Sequence, residues 1–333
     1  MPEEEWATFS KKFCSSLAEH GYLTPSWPRE YGGRAASAFE QVIVAEEMIR
    51  RGEPRGLQYM SVNFIGPAIM SEGTAEQKAH HLRLISRGEI LWCQGFSEPD
   101  AGSDLPSLRT RAVLDGDIFI INGEKIWTSG ARFADYCFLL CRTEAGSTGP
   151  EGLSLLLVPM TSDGIEVRPI RTIVGDEAFN QVHFSDVKVP ADALLGALND
   201  GWRIVRRALA HERVGVARYI RAGNYLERFI RYASERSLLA DPVVQRLAAC
   251  SASGIDSTRI LAMKIVSDRA FGTVEPAYAS LYRISTIQAE RALILHQDEL
   301  LRRRFVSLEP YNTDHEKNCP FDTPMLTEDD LGI

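Results

Sequence analysis

The hydrophobic period of this chain changes twice, and that limits its fold more than any single motif. Apolar residues recur at helical spacing up to about residue 91. They then run in short strand-like stretches from Ile90 to about Leu198 and return to helical spacing from Gly201. Helices, then strands, then helices exclude an all-β chain and predict an α+β protein with segregated layers. The first region holds ASAFEQVIVAEEMIRRG, closed by Gly52, and GTAEQKAHHLRLISRG, with Thr74 as N-cap and Gly88 as stop. A Pro/Gly/aromatic loop, SWPREYGG (26–33), lies between the early helices. In the middle region Asp115-Gly116 and Asn122-Gly123 are each flanked by β-formers and read as hairpin turns. GLSLLLVPM, IEVRPI and QVHFSDVKVP continue the strands, which predicts a compact antiparallel barrel or sandwich of about 100 residues. The third region is made of long amphipathic segments of bundle type. The boundaries predicted are 1–91 (helical), 92–198 (β-barrel), 199–304 (helical bundle) and 305–333, a polar tail with three prolines.

Composition excludes several classes of function. With 37 basic and 45 acidic residues the net charge is −8, which argues against nucleic acid as the main partner. No apolar run approaches the roughly 18 residues that span a bilayer, and MPEEEWATFSKK lacks a signal-peptide core. A soluble, cytoplasmic protein is expected. The six cysteines (14, 93, 137, 141, 250 and 319) contain no CxxC pair and read as buried thiols rather than a metal or redox set. Cys137 and Cys141 in YCFLLC are placed on one face of a strand. His80-His81 reads as a solvated helix face, so no metal site is expected.

Two stretches carry chemistry. In CQGFSEPDAGSDLPSLRTRA (93–112) a strand runs into a turn of small, hydrogen-bonding residues that lets a flat ligand approach closely. In INGEKIWTSGARFADY (121–136) Trp127 stands beside hydroxyls and a glycine. An ordinary strand connection and a core tryptophan are the alternatives.

Taken together, GFSEPDAGSD and INGEKIWTSGARFADY resemble the flavin-binding signature of the acyl-CoA dehydrogenase family. SWPREYGG, QVHFSDVKVP and NDGWRIVRRALAHERVGVA follow in that family's order and spacing, so the resemblance covers roughly residues 20–300. It implies a helical domain, a β-barrel and a helical bundle, with FAD between barrel and bundle. Gln94, Phe96 and Ser97 match the strand along the isoalloxazine, and Gly102 and Ser103 the turn around its edge and pyrophosphate. Trp127 matches the tryptophan packed on the far side of the flavin. Thr128 continues that strand, and Ser129 matches the hydroxyl near flavin N5. Arg236 resembles an arginine reaching the flavin pyrophosphate of a neighbouring subunit. Ser103 and Arg213 are implied on the substrate side. The reaction implied is removal of an α-proton and a β-hydride from an acyl-CoA thioester, giving the trans-2-enoyl-CoA. FAD N5 takes the hydride, and electrons pass on to an electron-transferring flavoprotein.

Such a reaction needs a base beside Cα. On the helix read over 201–233, Val205, Leu209, Glu212, Val216, Gly223, Leu226 and Ile230 form one apolar seam. A carboxylate desolvated on that stripe has its pKa raised into a range useful for a general base; a glutamate bonded to a partner from another helix is the lesser alternative. The resemblance favours catalysis, because one family branch carries its base on this helix, immediately before an arginine, as in Glu212-Arg213. The GT-x-x-IQR-type segment of the other branch has no counterpart. Neither do the QxFGGxG-type stretch and the final bundle helix, which predicts an apolar groove covered by a homo- or hetero-oligomeric partner. The blocks look most similar to the α2β2 sub-branch acting on steroid side chains and long acyl chains in β-oxidation. The alternative function is a flavin-poor or inactive structural subunit of such a hetero-oligomer.

Overall fold

The computed structural model describes residues 3–306, apart from 174, 213–216 and 274–275. The tail predicted from Phe305 onward therefore lies almost wholly outside the described residues. Two compact units are present, one of Met1–Ala35 with Pro54–Glu212 and one of Ala36–Glu53 with Arg213–Ile333.

The first unit opens with α1 (Glu3–Glu19); α2 (Ala38–Arg50) belongs to the second unit. A helical run follows over 58–72, made of α3 (Gln58–Met60), a π-turn Ser61–Ile65 and α4 (Gly66–Glu72). The next run, 75–86, is α5 (Ala75–Gln77), a second π-turn Lys78–Leu82 and α6 (Arg83–Ser86). Thr74 caps α5 as expected, in a reciprocal capping box with Gln77. Gly88, at φ +69°, follows α6 in the left-handed region open to glycine. Trp27 of SWPREYGG is buried, and its indole N–H donates to the Val62 carbonyl at 3.1 Å. Gly66 makes room for that ring, since a Cβ there would lie 2.2 Å from it.

Seven strands form one sheet: β1 (Trp92–Gly95), β2 (Arg111–Asp115), β3 (Ile118–Ser129), β4 (Tyr136–Arg142), β5 (Leu153–Pro159), β6 (Ile165–Ile170) and β7 (Phe179–Pro190). Their order is β1-β4-β2-β3-β7-β6, with β5 on the other side of β4. Most pairs are antiparallel as expected, but β1 and β2 run parallel to β4, Cys93 facing Cys137 and Arg111 facing Arg142. Asp115-Gly116 is a tight hairpin, because Asp115 pairs directly with Ile118. Asn122-Gly123 is not. Strand β3 runs straight through it to Ser129, and the irregularity is a bulge against β7, where Asp186 takes φ +50°. The Asn122 amide donates to the Asp186 carboxylate at 2.9 Å and its oxygen accepts the Asp186 N–H at 3.0 Å. Gly123 is required there, since a Cβ would meet the Thr110 hydroxyl at 2.5 Å.

The sheet core is Cys93, Phe119, Ile121, Cys137, Leu139, Cys141, Leu156, Val158, Val182 and Phe184, with others. Cys137 and Cys141 share its inner face, as period-two alternation requires. Cys14 and Cys93 are buried too, but Cys250 is exposed on a bundle helix, contrary to expectation; Cys319 lies outside the described residues.

The histidine pair also departs from its reading. His80 is exposed, but the π-turn directs His81 inward, edge-on to Trp92 at 5.1 Å and Tyr136 at 5.0 Å. Burial, aided by the neighbouring His80, pushes the His81 imidazole down to about 4. An unfolded histidine titrates near 6.5, so between these values the unfolded chain binds the extra proton. Stability contributed here is complete above pH ~6.5 and falls by up to about 3 kcal/mol as pH drops through ~4. His81→Leu is expected to flatten that limb of a stability-against-pH curve followed by urea denaturation.

In the second unit α2 packs with α8 (Ala217–Glu235) and α9 (Pro242–Ala270), and α10 (Pro276–Val306) packs on those two, α7 (Gly201–Glu212) being part of the first. Tyr219, Leu226, Phe229, Ile255, Ile265, Tyr282 and Leu293 are at its core. The Tyr219 hydroxyl donates to Glu46 of α2, which also pairs with Arg259 at 3.2 Å. Ile230, expected on the buried seam, is instead exposed.

Candidate active site

Helix α7 lies against β5 through a buried face of Gly201, Ile204, Val205 and Ala208. Gly201 permits the approach, since a Cβ there would stand 2.6 Å from the Ser154 backbone. Arg203 clamps the helix start, bonding Glu72 of α4 at 2.7 Å and Asp200 at 2.6 Å, with Arg207 adding a contact to Glu72 at 3.3 Å. The hydrogen bond from Arg203 outweighs burial and holds the Glu72 carboxyl below the usual range. A cavity of about 80 Å³ lies between α4 and α7, lined by Pro67, Ala68, Ser71, Glu72, Ile204, Arg207 and Ala208. Steps of four residues from Ile204 through Ala208 reach position 212, the last of α7. The side chain of Glu212 lies outside the described residues, as does Arg213.

The two chemistry-bearing stretches meet on the sheet. Ser97 is half-buried beyond the end of β1, and its carbonyl accepts the Ile126 N–H of β3 at 2.9 Å. The next residue, Trp127, is the extra residue of a second bulge, between Lys125 and Thr128. It takes φ +60°, which costs a non-glycine residue about 1–3 kcal/mol. Its indole is 58% exposed and touched edge-on by Phe179 at 6.2 Å. Ser129 is exposed on the same strand, and Gly102 and Ser103 are exposed in the turn. A strained aromatic held open to solvent beside hydroxyls and an unobstructed glycine fits a flat ligand with polar edges. Among the described residues no group of three or more side chains is placed to hold a metal ion.

Family signatures match along the chain: acyl-CoA dehydrogenase N-terminal domain over 2–89, middle domain over 93–187 and C-terminal domain over 199–294. The chain belongs to the acyl-CoA dehydrogenase family. It is 39% identical over 267 residues to acyl-CoA dehydrogenase IpdE1 of Mycobacterium tuberculosis (strain ATCC 25618 / H37Rv), covering 79% of this chain and 69% of that protein. Among solved structures, the Tcur3481-Tcur3483 steroid ACAD superimposes with a TM-score of 0.82 at 31% identity, over 94% of this chain and 83% of that one. The ChsE4-ChsE5 complex from M. tuberculosis gives 0.78 at 31% identity, over 89% and 80%. The protein is accordingly a flavin-dependent oxidoreductase acting on CH–CH groups, and its chemistry is acyl-CoA dehydrogenation. Members of this family use FAD. No described helix is long and apolar enough to cross a membrane.

Against the residues expected from sequence, the structure brings Ser97, Trp127 and Ser129 together and leaves Gly102 and Ser103 exposed in the adjoining turn. Gln94 is half-buried in β1. Phe96 turns inward, packed on Phe64 and Phe138, and its carbonyl accepts the Lys125 ammonium. The Thr128 side chain is also buried, and its hydroxyl has no partner. Arg236 belongs to the second unit, over the Tyr232 ring at 4.0 Å and 3.7 Å from Glu235.

Residues overlooked in sequence are Glu98, Lys125 and Arg142. Arg142 ties down the far end of the turn, donating to the carbonyls of Pro106 (2.7 Å), Leu108 (3.2 Å) and Gly149 (3.0 Å). A signal for Lys125 did exist: steps of two from Phe119 and Ile121 place it on the inward face of β3.

Proposed function

We propose that the chain holds FAD along Ser97, Gly102, Ser103, Trp127 and Ser129, and dehydrogenates an acyl-CoA to its trans-2-enoyl-CoA. Support comes chiefly from the exposed, strained Trp127 next to the strand residue that anchors Ser97. When bound, FAD supplies the acceptor for the β-hydride. Glu212 takes the α-proton onto its carboxylate, the electron pair of that Cα–H bond becomes the Cα–Cβ double bond, and both electrons of the Cβ–H bond leave with the hydride. Ser103 and Arg213 face the substrate in this reading. Gln94, Phe96 and Thr128 support the flavin strand, Phe96 through its backbone. Arg236 reaches a neighbouring subunit's flavin, and an electron-transferring flavoprotein takes the electrons. The acyl group is a fatty acyl chain or a steroid side chain, the latter favoured by the named steroid relative. The domain boundaries 1–91, 92–198 and 199–304 and a cytoplasmic location complete the proposal. The test is to purify the chain in its native assembly and add acyl-CoA without oxygen. The visible flavin band is expected to bleach, and a protein without flavin, or with flavin no acyl-CoA reduces, would sink the reading.

Assembly with a second subunit, alike or different, is supported by the apolar stripe Leu281, Ile284 and Ile287 on α10, with Ile294 and Leu295 two turns on, all exposed. Ile284→Glu with Ile287→Glu is expected to lower the assembly's mass in light scattering while leaving the far-UV spectrum intact.

A further inference from the structure

Lys125 is fully buried within the sheet, where a lysine is seldom found. Its ammonium donates to the Phe96 carbonyl at 2.9 Å and to the Glu98 carboxylate at 2.9 Å. Glu98, itself buried, accepts the Arg109 N–H at 2.6 Å and the Thr110 N–H at 2.8 Å. Beside them the Ile126 N–H donates to the Ser97 carbonyl at 2.9 Å. Two consecutive carbonyls, of Phe96 and Ser97, are thus tied to two consecutive residues of β3, immediately before the Trp127 bulge. The return end of the same turn is tied to β3 as well, since the Thr110 hydroxyl donates to the Glu124 carbonyl at 3.2 Å. The turn 98–110, which carries Gly102 and Ser103, is therefore pinned at both ends to the strand that carries Trp127.

An ion pair is a poor way to stabilise a core, because desolvating two charges offsets most of their attraction. Its distinctive yield here is direction. A charged donor and a carboxylate fix distances and angles between two chain segments that an apolar contact of equal volume leaves loose.

We propose that Glu98 and Lys125 are positioning residues, which set Ser97 and the exposed ring of Trp127 at a fixed mutual geometry for one flat ligand. This rests on the reading of that strip as the FAD site. The experiment compares the full chain with Lys125→Met, with Glu98→Gln combined with Lys125→Met, and with Leu156→Ala, a cavity in the sheet core on β5, a strand that carries none of these residues. The readouts are Tm, the FAD dissociation constant and the shape of the visible flavin band. Both Lys125 variants are expected to bind FAD roughly tenfold more weakly, with the band shifted toward that of free flavin. Leu156→Ala, at a comparable loss of Tm, is expected to stay within about twofold of the parent. The double variant leaves no charge buried without a partner, so it serves even where Lys125→Met does not fold. Parent-like affinity and spectrum in the Lys125 variants would overturn the inference, as would equal weakening by Leu156→Ala. A parent chain that takes up no FAD would overturn the flavin reading and this inference with it.

Discussion

Glu212→Gln is expected to slow reduction of the bound flavin by acyl-CoA by about 10³-fold, close to 4 kcal/mol of barrier. Glutamine keeps the shape and the helix preference of glutamate, so α7 should persist with its clamp of Arg203 on Glu72 and its buried face on β5. What glutamine lacks is a site to receive a proton at neutral pH. The effect should therefore fall on the chemical step, with FAD content, the resting spectrum and the affinity for enoyl-CoA product nearly unchanged. Rapid mixing under anaerobic conditions separates these quantities. Reduction at the parental rate would move the base to another residue.

Lys125→Met is expected to cost about 3–5 kcal/mol of folding stability, a large share of the roughly 5–15 kcal/mol typical of a domain. The loss arises less from missing attraction than from Glu98, left as a buried carboxylate without its counter-charge. Burial by itself raises the Glu98 pKa; the Lys125 charge, with hydrogen bonds from Thr110, Arg109 and Lys125, more than offsets this and holds it below the ordinary value. In the parent, Glu98 therefore contributes stability above pH ~4.5 that is lost as pH falls through its folded pKa. Without Lys125 burial acts with less opposition, the carboxyl pKa rises, and protonation on acidification relieves the penalty. The gap between parent and variant should be widest near pH ~7 and narrow toward pH ~4.5. Urea unfolding at the two pH values measures it, and a gap that widens in acid would show that Glu98 is not the group left unpaired.

Local chemistry was readable in the sequence, and contacts between distant segments were not. Thr74, Gly88 and the Asp115-Gly116 hairpin act on neighbours a few residues away, and their signals carried through. Asn122-Gly123 carries the same local signal as Asp115-Gly116. Its outcome is decided by β7, where Asp186 supplies the bulge that lets β3 continue. His81 sits in a helix polar enough to read as solvated, but Trp92 and Tyr136 of the sheet enclose it. Along the flavin-signature segment, resemblance placed the residues in order but not their directions, so Phe96 and Thr128 were credited with faces that the structure turns inward. Lys125 shows the converse, a charge whose strand parity already marked it as internal.

The interrupted second unit has a consequence for how this chain is made. Helix α2 is translated early, yet the Tyr219 that bonds its Glu46 lies 173 residues later. At about 5–20 residues per second, α2 waits on the order of ten to thirty seconds for those partners to leave the ribosome. Ile49, packed against the bundle core in the finished protein, has no bundle to enter during that interval. Nascent chains halted before α8 should therefore recruit chaperones through α2, while the same helix in released protein is silent.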